Sequence, residues 1–348
     1  MTDPTSERKL QHLRIIASDR DTDRRRYHFD DLHLTHRALP ECALEEIDLS
    51  VDFMGKRLSC PLLISSMTGG EQPQVRRINE NLARAAEAEG VALAVGSQRV
   101  QFTHPEARAS FALREWAPNA LLFANLGAVQ LNYGFTADHC RQAVEAVGAD
   151  GLFLHLNPLQ EAVQPEGDTR FTGLADRLRE LVGVLETPLI MKEVGAGISP
   201  ADAELMRAAG IRYIDVAGSG GLSWSRIEQH RRDEPPDQGP GFVFQDWGIP
   251  TPLALRLLAP FRPEITLLAS GGIRSGIDMA KAVILGASLC GLASPFLQPA
   301  MESADQVAEE IRRLKREFRI ALFLLGARSV QDVFGREDLI LSEQPARR

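Results

Sequence analysis

The 348-residue chain has 44% hydrophobic and 25% charged residues, a composition typical of a globular protein with a sizeable core. Its formal net charge of −8 argues against a general nucleic-acid or anionic-membrane binder. No apolar run approaches the roughly 18 residues that a membrane-spanning helix needs, and the polar opening MTDPTSERKLQHL lacks the pattern of a signal peptide. Cys42, Cys60, Cys140 and Cys290 form no C-x-x-C pair, so we expect no zinc site or disulfide framework, and a reducing, cytoplasmic location.

Short apolar runs follow one another along the chain, with helix-like patterns between them. The first four begin roughly 30 residues apart, the length of one β-strand plus one crossover helix. Continuous apolar runs are typical of parallel strands that are covered on both faces. In chain order the runs are PLLISSM (61–67), VALAVGS (91–97), LLFANLG (121–127), GLFLHLN (151–157), PLIMKEVG (188–195), YIDVAGSGG (213–221), ITLLASGG (265–272) and SLCGLASPF (288–296).

The succession of strand and helix patterns predicts an α/β fold, a TIM (β/α)8 barrel. VRRINENLARAAEAEG (75–90) and SGIDMAKAVILGA (275–287) are two of the predicted helices, each ending on a small residue or glycine. The alternative is a doubly wound open sheet, which is disfavoured because no G-x-G-x-x-G sequence follows the first strand. Residues 1–348 are therefore predicted to form a single barrel domain.

Three segments of this domain are assigned outside the repeat. Residues 1–60 are polar and rich in Arg and His, and we expect them to cross the barrel as an N-terminal cap. Residues 222–248 form a long loop after the sixth strand, crowded with Pro, Gly and charge. Such loops are often lids or assembly surfaces, and we expect part of this one to be disordered in an empty site. The barrel is assigned to 61–326 and a C-terminal tail to 327–348.

The predicted strand ends carry an unusual number of polar residues and glycines. In this fold the active site lies at the carboxyl ends of the strands. Seven of these ends are polar or glycine-rich, which chance placement does not explain. They read Ser66-Met67-Thr68-Gly69-Gly70, Ser97-Gln98-Arg99, Asn125, His155 with Asn157, Lys192, Gly218 to Gly221, and Ser270 to Arg274.

The last two strand ends predict a phosphate site. SGGIRSG and GLASP are sequences in which backbone N–H groups can approach an anion, and the next helix N-terminus adds positive potential. Glycine turns that serve packing alone are the alternative. Lys192 is either a salt-bridged structural residue or a cation that faces a ligand. A flavin fits the second interpretation, because a cation near the reduced isoalloxazine stabilises its anionic form.

His155 and Asn157 are two residues apart on one predicted strand, so their side chains share a face. We expect that face to be the barrel mouth, although a hydrogen-bonded core histidine is the common alternative. Gln160 and Glu161 are predicted to follow in a loop over the mouth. Glu161 is either a solvated loop charge or a Mg²⁺ ligand, since phosphate oxygens and waters can complete the octahedron around one carboxylate.

These segments resemble the type 2, flavin-dependent family of isopentenyl-diphosphate isomerases, which interconvert isopentenyl and dimethylallyl diphosphate. The resemblance runs from residue 7 to about residue 297, with MTGG, HLNPLQE and KEVG in the family's order. The set of motifs is highly specific, although SGGIRSG alone also occurs in other FMN barrels. The matching segments are ERKLQHL, PLLISSMTGG, VGSQR, ANLG, HLNPLQEAVQPEGD, MKEVGAGIS, VAGSGG, WGIPT, ASGGIRSG and GLASPF.

The resemblance implies a TIM barrel of the FMN-linked type. It implies an isomerase with reduced FMN as acid–base cofactor, Mg²⁺ on the diphosphate, and NADPH or NADH only to reduce the flavin. It also implies a cytoplasmic homo-oligomer, a tetramer or octamer. It places FMN against Ser65, Ser66, Met67, Thr68, Ser97, Asn125, Lys192, Leu222, Gly271, Gly272, Ile273, Ala293 and Ser294. It places the substrate against Arg8, Lys9, His12, Ser97, Gln98, Arg99, His155, Asn157 and Gln160, and the metal on Glu161. The catalytic residues it implies are Gln160, Lys192, His155 and Asn157.

One position departs from the family pattern. The family has a threonine after the glycines that end the sixth strand, and this threonine contacts the flavin phosphate. Here Leu222 follows Gly220 and Gly221. Leu222 offers only its backbone N–H, so either Ser219 or Ser223 substitutes or FMN is held more weakly.

The sequence leaves open what Gln160 does in the proposed proton transfer. An amide does not titrate as a general acid, but it can hydrogen-bond flavin or substrate and relay a proton by tautomerisation; relay and positioning both stay open. The rival function is an FMN-dependent 2-hydroxy-acid oxidoreductase, which needs a His base and an Arg for the substrate carboxylate. MTGG, HLNPLQE and the Arg8-Lys9 pair suit a diphosphate better. A flavin-binding barrel without catalysis is a third interpretation, supported only by Leu222.

Overall fold

The computed structural model describes residues 11–12, 14–16, 18–24, 26–67, 69–70, 72–232 and 239–341. Eight parallel strands form a closed barrel, in which each strand pairs with its neighbours in chain order and the eighth pairs with the first. The predicted runs are confirmed as the strands of a TIM barrel, and the open-sheet alternative is wrong. The strands are β1 (Leu62–Ile64), β2 (Ala92–Ala94), β3 (Leu122–Gly127), β4 (Gly151–Leu156), β5 (Leu189–Glu193), β6 (Tyr213–Asp215), β7 (Thr266–Ser270) and β8 (Leu289–Leu292).

Helices cover the outside of the barrel. The first of them buries Val75, Ile78 and Leu82 at helical spacing, and Gly90 ends it with φ +63. The α-helices are α1 (Pro73–Glu89), α2 (Ala137–Val147), α3 (Pro158–Val163), α4 (Leu174–Val184), α5 (Pro200–Ala208), α6 (Trp224–Gln229), α7 (Pro240–Val243), α8 (Thr251–Leu258), α9 (Gly276–Ile284), α10 (Ser294–Glu302) and α11 (Ala304–Leu325).

The second strand–helix unit departs from the expected repeat. Between β2 and β3 the chain forms two 3-10 helices, Gln98–Phe102 and Pro105–Phe111, where an α-helix was expected. Pro105 lacks an N–H and disfavours the α conformation at the residue before it, so one continuous helix cannot run through this segment.

The core has two layers, because successive strand residues point alternately into the barrel and out toward the helices. Phe123 and Phe153 belong to the inward-facing cluster and meet edge to face, with ring centroids 5.1 Å apart. A hairpin of Val51–Phe53 and Lys56–Leu58 adds Phe53 to this cluster. The hairpin's Lys56 also donates to the carbonyl of Ala120, just before β3, so the hairpin closes the amino-terminal end of the barrel.

The N-terminal segment contacts the opposite end. Arg24 is buried, and its guanidinium donates to the carbonyls of Gly195 and Leu222, in the loops after β5 and β6. The carbonyl of the fully buried Phe29 accepts a hydrogen bond from Lys281 of α9 at 2.8 Å. The division of the chain into cap, barrel and tail stays a prediction.

The remaining expectations about the chain concern its loop, its cysteines and membranes. Residues 233–238 of the long loop lie outside the described residues, so the expected disorder is not addressed there. All four cysteines are free thiols. Within the described ranges, no helix combines the length and apolar character that crossing a membrane requires.

Candidate active site

A cavity of about 1450 Å³, including its open mouth, lies at the carboxyl ends of the strands. Most of the residues predicted from the sequence line it. They are His12, Ser65, Ser66, Met67, Ser97, Arg99, Asn125, His155, Asn157, Gln160, Glu161, Lys192, Leu222, Gly271, Gly272, Ile273, Ala293 and Ser294.

Gln98 is the exception among the described residues. It is fully buried, and its amide donates to the carbonyl of Ala143 and accepts the N–H of Asn125, each at 2.9 Å. The polar side-chain atoms of Gln98 are thus used behind the cavity wall, and its predicted contact with the substrate stays a prediction. The other predicted residues, Arg8, Lys9 and Thr68, lie outside the described residues.

Asn125 of β3 links neighbouring strand ends across the cavity floor. Its Nδ2 donates to Ser66 Oγ at 2.7 Å and to the Val95 carbonyl at 3.1 Å, which leaves Oδ1 as the acceptor. This Oδ1 lies 2.7 Å from Nδ1 of His155, so in this arrangement Nδ1 carries the hydrogen. His155 thus lies at the mouth with a fixed ring orientation, and not in the core.

Gln160 and Glu161 lie on a short helix, and the prediction of a loop is wrong. Helix α3 begins directly after β4, with Asn157 at its N-cap position and Pro158 in its first turn. This geometry keeps both side chains beside Asn157. Its Nδ2 lies 3.0 Å from Gln160 Oε1 and 2.8 Å from Glu161 Oε1.

Glu228 on α6 is a partner of Gln160 that the sequence did not reveal. Its Oε1 accepts from Gln160 Nε2 at 2.7 Å and lies 3.1 Å from His12 Nε2. Arg231 donates to the other carboxylate oxygen at 2.5 Å. Burial alone would raise the pKa of this fully buried carboxyl, but the nearby His12 and the hydrogen bonds from Gln160 and Arg231 hold the pKa of Glu228 at about 2. Glu228 is therefore ionised, and it directs the Nε2 of Gln160 toward itself.

Glu161 is buried, so the solvated-loop interpretation is wrong. Its Oε1 accepts from Asn157, and its Oε2 accepts from Gln164 Nε2 and the N–H of Asp168, both at 2.7 Å. In the described part of the chain, no group of three or more His, Cys, Asp or Glu side chains could hold a metal. Glu161 is a single buried carboxylate at the mouth, and one carboxylate can bind Mg²⁺ when phosphate oxygens and waters supply the other ligands.

Arg99 reaches the mouth with Asp168 as its partner. Its Nη1 donates to Asp168 Oδ2 at 2.7 Å, and Gln130 donates to the same oxygen at 2.9 Å. The side chain of Arg99 is 38% exposed, so its remaining donors can reach an anion in the cavity. Because Asp168 also binds Glu161 through its N–H, one segment connects this cation to the predicted metal ligand.

The glycines after β6 and β7 let several turns pack closely. Gly271 and Gly272 have φ +92 and +83; a Cβ would lie 2.2 Å from the Gly218 carbonyl at the first and 2.8 Å from the Tyr27 carbonyl at the second. Packing therefore requires these glycines, and they line the cavity as well. Helix α10 begins at Ser294 of the lining, and the first N–H groups of a helix suit an anion.

Asp23 of the N-terminal segment lies at this glycine-rich end. Arg274 Nη2 donates to Asp23 Oδ1, and the Arg274 guanidinium stacks over the Tyr27 ring at 4.5 Å. The other oxygen of Asp23 is 3.5 Å from Ser294 Oγ. A carboxylate thus holds two groups that would bind a phosphate.

Leu222 lines the cavity, but its two neighbouring serines do not. The Ser223 hydroxyl is buried and donates to the Gln245 carbonyl at 2.8 Å. Ser219 is also buried. Neither serine is among the residues that line the cavity. Substitution by a serine hydroxyl therefore has no support in this geometry, and the expectation of weaker FMN binding stays a prediction.

Lys192 combines both interpretations proposed for it, since it lines the cavity and is salt-bridged. Its Nζ lies 3.0 Å from Asp215 Oδ2 and donates to Ser270 Oγ at 2.9 Å. The fully buried Asp215 was not predicted as a site residue. Next to the lysine, Glu193 accepts the N–H groups of the loop after β5, and burial raises its pKa to about 7 despite these donors.

A closed barrel with glycine-rich final turns, a helix N-terminus and a strand lysine around one cavity defines an FMN-dependent TIM barrel. The family model of FMN-dependent dehydrogenases matches residues 5–117 and 157–340. A solved flavocytochrome b2 double mutant with pyruvate bound has a TM-score of 0.70 at 18% identity, over 97% of this chain and 84% of that one. That similarity shows the fold alone.

Curated relatives give a narrower family. The isopentenyl-diphosphate delta-isomerase of Paracoccus zeaxanthinifaciens is 53% identical over 337 residues, 96% of this chain and 96% of the relative. That of Hydrogenovibrio crunogenus is 49% identical over 338 residues, 97% of this chain and 98% of the relative. The chain belongs to the isopentenyl-diphosphate delta-isomerase family.

Proposed function

We propose that this protein interconverts isopentenyl and dimethylallyl diphosphate by 1,3-allylic proton transfer, with reduced FMN as acid–base cofactor and Mg²⁺ on the diphosphate. The observation that carries the proposal is a pair of hydrogen bonds at the Gln160 amide. Asn157 donates to Gln160, and Gln160 donates to Glu228. Asn157 and Gln160 line the same cavity as the glycine-rich end, and Glu228 is fully buried beside them. The names of the relatives support the substrate pair, and the family match supports the cofactor.

The cavity residues fit FMN. The turn at Gly271 and Gly272 and the N-terminus of α10 would hold the phosphate, because backbone N–H groups there can approach an anion. Lys192 and Asn125 would hold the ring system from the ends of β5 and β3. When bound, the reduced flavin supplies a group that can give and take a proton at the allylic carbons.

The diphosphate would bind on the other side of the mouth. Arg99 and His155 supply hydrogen-bond donors there, and Glu161 would bind Mg²⁺ together with the phosphate oxygens. Asn157 Oδ1 is buried and accepts no hydrogen bond within the described residues, which suits a donor such as a metal-bound water.

Gln160 either moves a proton or fixes the position of one. Its Nε2–H points at the ionised Glu228, and its Oε1 faces Asn157. A relay would pass the Nε2 proton to Glu228 while Oε1 takes one up, which is amide tautomerisation. Positioning needs only the hydrogen bond to Glu228. Both roles place Gln160 beside the reacting carbons, where general acid–base groups act.

The alternative, an FMN-dependent 2-hydroxy-acid oxidoreductase, is not favoured. Its support is a common fold at 18% identity, whereas relatives at 41% to 53% identity are named as isomerases. The proposal further includes NADPH or NADH as the flavin reductant, a cytoplasmic location, and a homo-oligomer.

A product assay tests the proposal. Protein loaded with FMN is reduced anaerobically and incubated with isopentenyl diphosphate and Mg²⁺, and dimethylallyl diphosphate is measured. We expect product only with reduced flavin and Mg²⁺ together. A yellow protein that forms no product, and whose flavin is bleached by a 2-hydroxy acid, would support the oxidoreductase instead.

A further inference from the structure

Lys192, Asp215 and Ser270 form a hydrogen-bonded group at the ends of the adjacent strands β5, β6 and β7. Lys192 Nζ lies 3.0 Å from Asp215 Oδ2 and donates to Ser270 Oγ at 2.9 Å. The Ser270 hydroxyl donates in turn to the Asp215 carboxylate, 2.9 Å from either oxygen. All three side chains are buried, so salt and water screen their charges little.

Asp215 lies behind the other two residues. Lys192 and Ser270 line the cavity, whereas Asp215 is fully buried and does not. Lys192 and Asp215 are register partners across β5 and β6, and the N–H of Ala217 donates to Asp215 Oδ1 at 3.2 Å. Strand register and the following turn therefore fix the carboxylate, and the carboxylate fixes the ammonium group of Lys192.

We propose that Asp215 is a positioning residue that directs Lys192 toward the flavin and cancels most of its net charge there. The inference rests on the proposed function, since it takes the flavin ring to bind against Lys192. Opposite charges 3.0 Å apart act on a more distant group as a dipole, and much less strongly than a lone cation.

This charge balance suits a reaction without net electron transfer. A group that serves as acid and base has to take up and return a proton, and a strong net cation beside it would favour the deprotonated state. The sequence left Lys192 open as either a salt-bridged residue or a cation that stabilises an anionic flavin. The buried Asp215 turns that lysine into one half of a neutral pair.

The test is the reduction potential of FMN bound to Asp215→Asn, measured anaerobically against reference dyes beside the wild type. Asparagine keeps the size and much of the hydrogen bonding but removes the negative charge, so Lys192 becomes a net cation. We expect the equilibrium between oxidised and reduced FMN to shift at least about tenfold toward the reduced form. For a two-electron couple this is a rise of about 30 mV in the reduction potential. An unchanged equilibrium, or a shift toward oxidised flavin, overturns the inference.

The double variant Lys192→Met/Asp215→Asn keeps the test decisive if the single variant misfolds. The double variant removes both charges. If the pair is balanced, the equilibrium between oxidised and reduced FMN should stay within about threefold of wild type, whereas Lys192→Met alone should shift that equilibrium toward oxidised flavin. A double variant that shifts as far as Lys192→Met overturns the inference. Wild-type protein that takes up no FMN contradicts the proposed function as well, while flavin-binding variants with unchanged potentials contradict only the inference.

Discussion

Gln160 Nε2 donates a hydrogen bond to Glu228 Oε1 at 2.7 Å, across 68 residues of sequence. The contact joins helix α3, which follows β4, to helix α6 in the loop after β6. Because Glu228 is fully buried and ionised, it holds the Gln160 amide in one orientation at the cavity wall. The proposed proton transfer depends on that orientation.

Gln160→Leu and Glu228→Gln should each lower kcat about 10²-fold, the lower end of what a positioned acid–base group contributes. The two residues act through the same hydrogen bond, so the double variant should lose little more activity than either single variant. Steady-state kinetics of the four proteins measure this, with FMN affinity as the control for folding. Full turnover by Gln160→Leu would remove Gln160 from the mechanism, and fully multiplicative losses would show that Gln160 and Glu228 act independently of each other.

Glu228 should also make stability depend on pH in one direction. Its pKa is lowered from the ordinary 4.5 to about 2 in the folded protein, so its ionised form stabilises the fold. This contribution is complete above about pH 4.5 and is lost as the pH falls toward about 2. Urea unfolding of wild type and Glu228→Gln between pH 7 and 3 measures it. The free-energy advantage of wild type should shrink below pH 5, and a constant or growing gap would contradict the account.

Glu161→Gln should raise the Mg²⁺ concentration needed for half-maximal activity by at least about tenfold, since mutating even outer-shell partners of a metal costs this much. The variant keeps the size of the side chain and an acceptor for Asn157 while losing the charge. Mg²⁺ titrations of activity measure the effect, and FMN affinity should stay unchanged. An unaltered Mg²⁺ requirement would exclude Glu161 as the metal ligand.

Leu222→Thr should bind FMN more tightly than wild type, by about tenfold, because a hydrogen bond to a charged phosphate contributes about 1.5 kcal/mol. Titration of apoprotein with FMN, followed by flavin fluorescence, gives the Kd values. Leu222→Val is the matched control, with the branched shape of threonine and no hydroxyl. If threonine and valine give the same affinity, the hydroxyl plays no part.

Asp23→Asn should also tighten FMN binding, since the Asp23 carboxylate accepts from Arg274 and lies beside Ser294, where an incoming phosphate would meet it. We expect a Kd about tenfold lower at low salt, with a smaller effect at high salt because screening weakens repulsion. Asp31→Asn is the control, because Asp31 pairs with the exposed Arg26 on the same segment. Weaker binding by Asp23→Asn would instead make Asp23 a support for Arg274.

Local patterns were enough to predict the barrel and the lining of its mouth. Each strand is a short apolar run. His155 and Asn157 both line the cavity as predicted, although β4 ends at Leu156 and Asn157 is the N-cap of α3. The misassigned loop at Gln160 had a readable signal, since Asn157-Pro158 is typical of a helix start. The burial of Gln98 could not be predicted, because its position after β2 does not reveal which way the side chain turns.

The missed residues could not be found from local patterns. Glu228 sits in a loop rich in charge, and only the folding of that loop onto α3 brings it to Gln160. Asp215 looks like one polar residue in an apolar run, and its role follows from register with Lys192 on the neighbouring strand. Asp23 reaches the glycine-rich end through an isolated β-bridge to Leu222. This contact joins distant parts of the chain, so no local sequence pattern predicts it.

Counting turnovers per flavin shows whether this protein isomerises its substrate without net electron transfer. FMN-loaded protein is reduced once, anaerobically, freed of reductant, and given isopentenyl diphosphate and Mg²⁺ while its absorbance is followed. We predict many molecules of dimethylallyl diphosphate per flavin, with the absorbance of the flavin returning to the reduced spectrum when the reaction reaches equilibrium. Product that stops near one molecule per flavin, or a flavin that becomes oxidised as product forms, would contradict an isomerisation without net electron transfer.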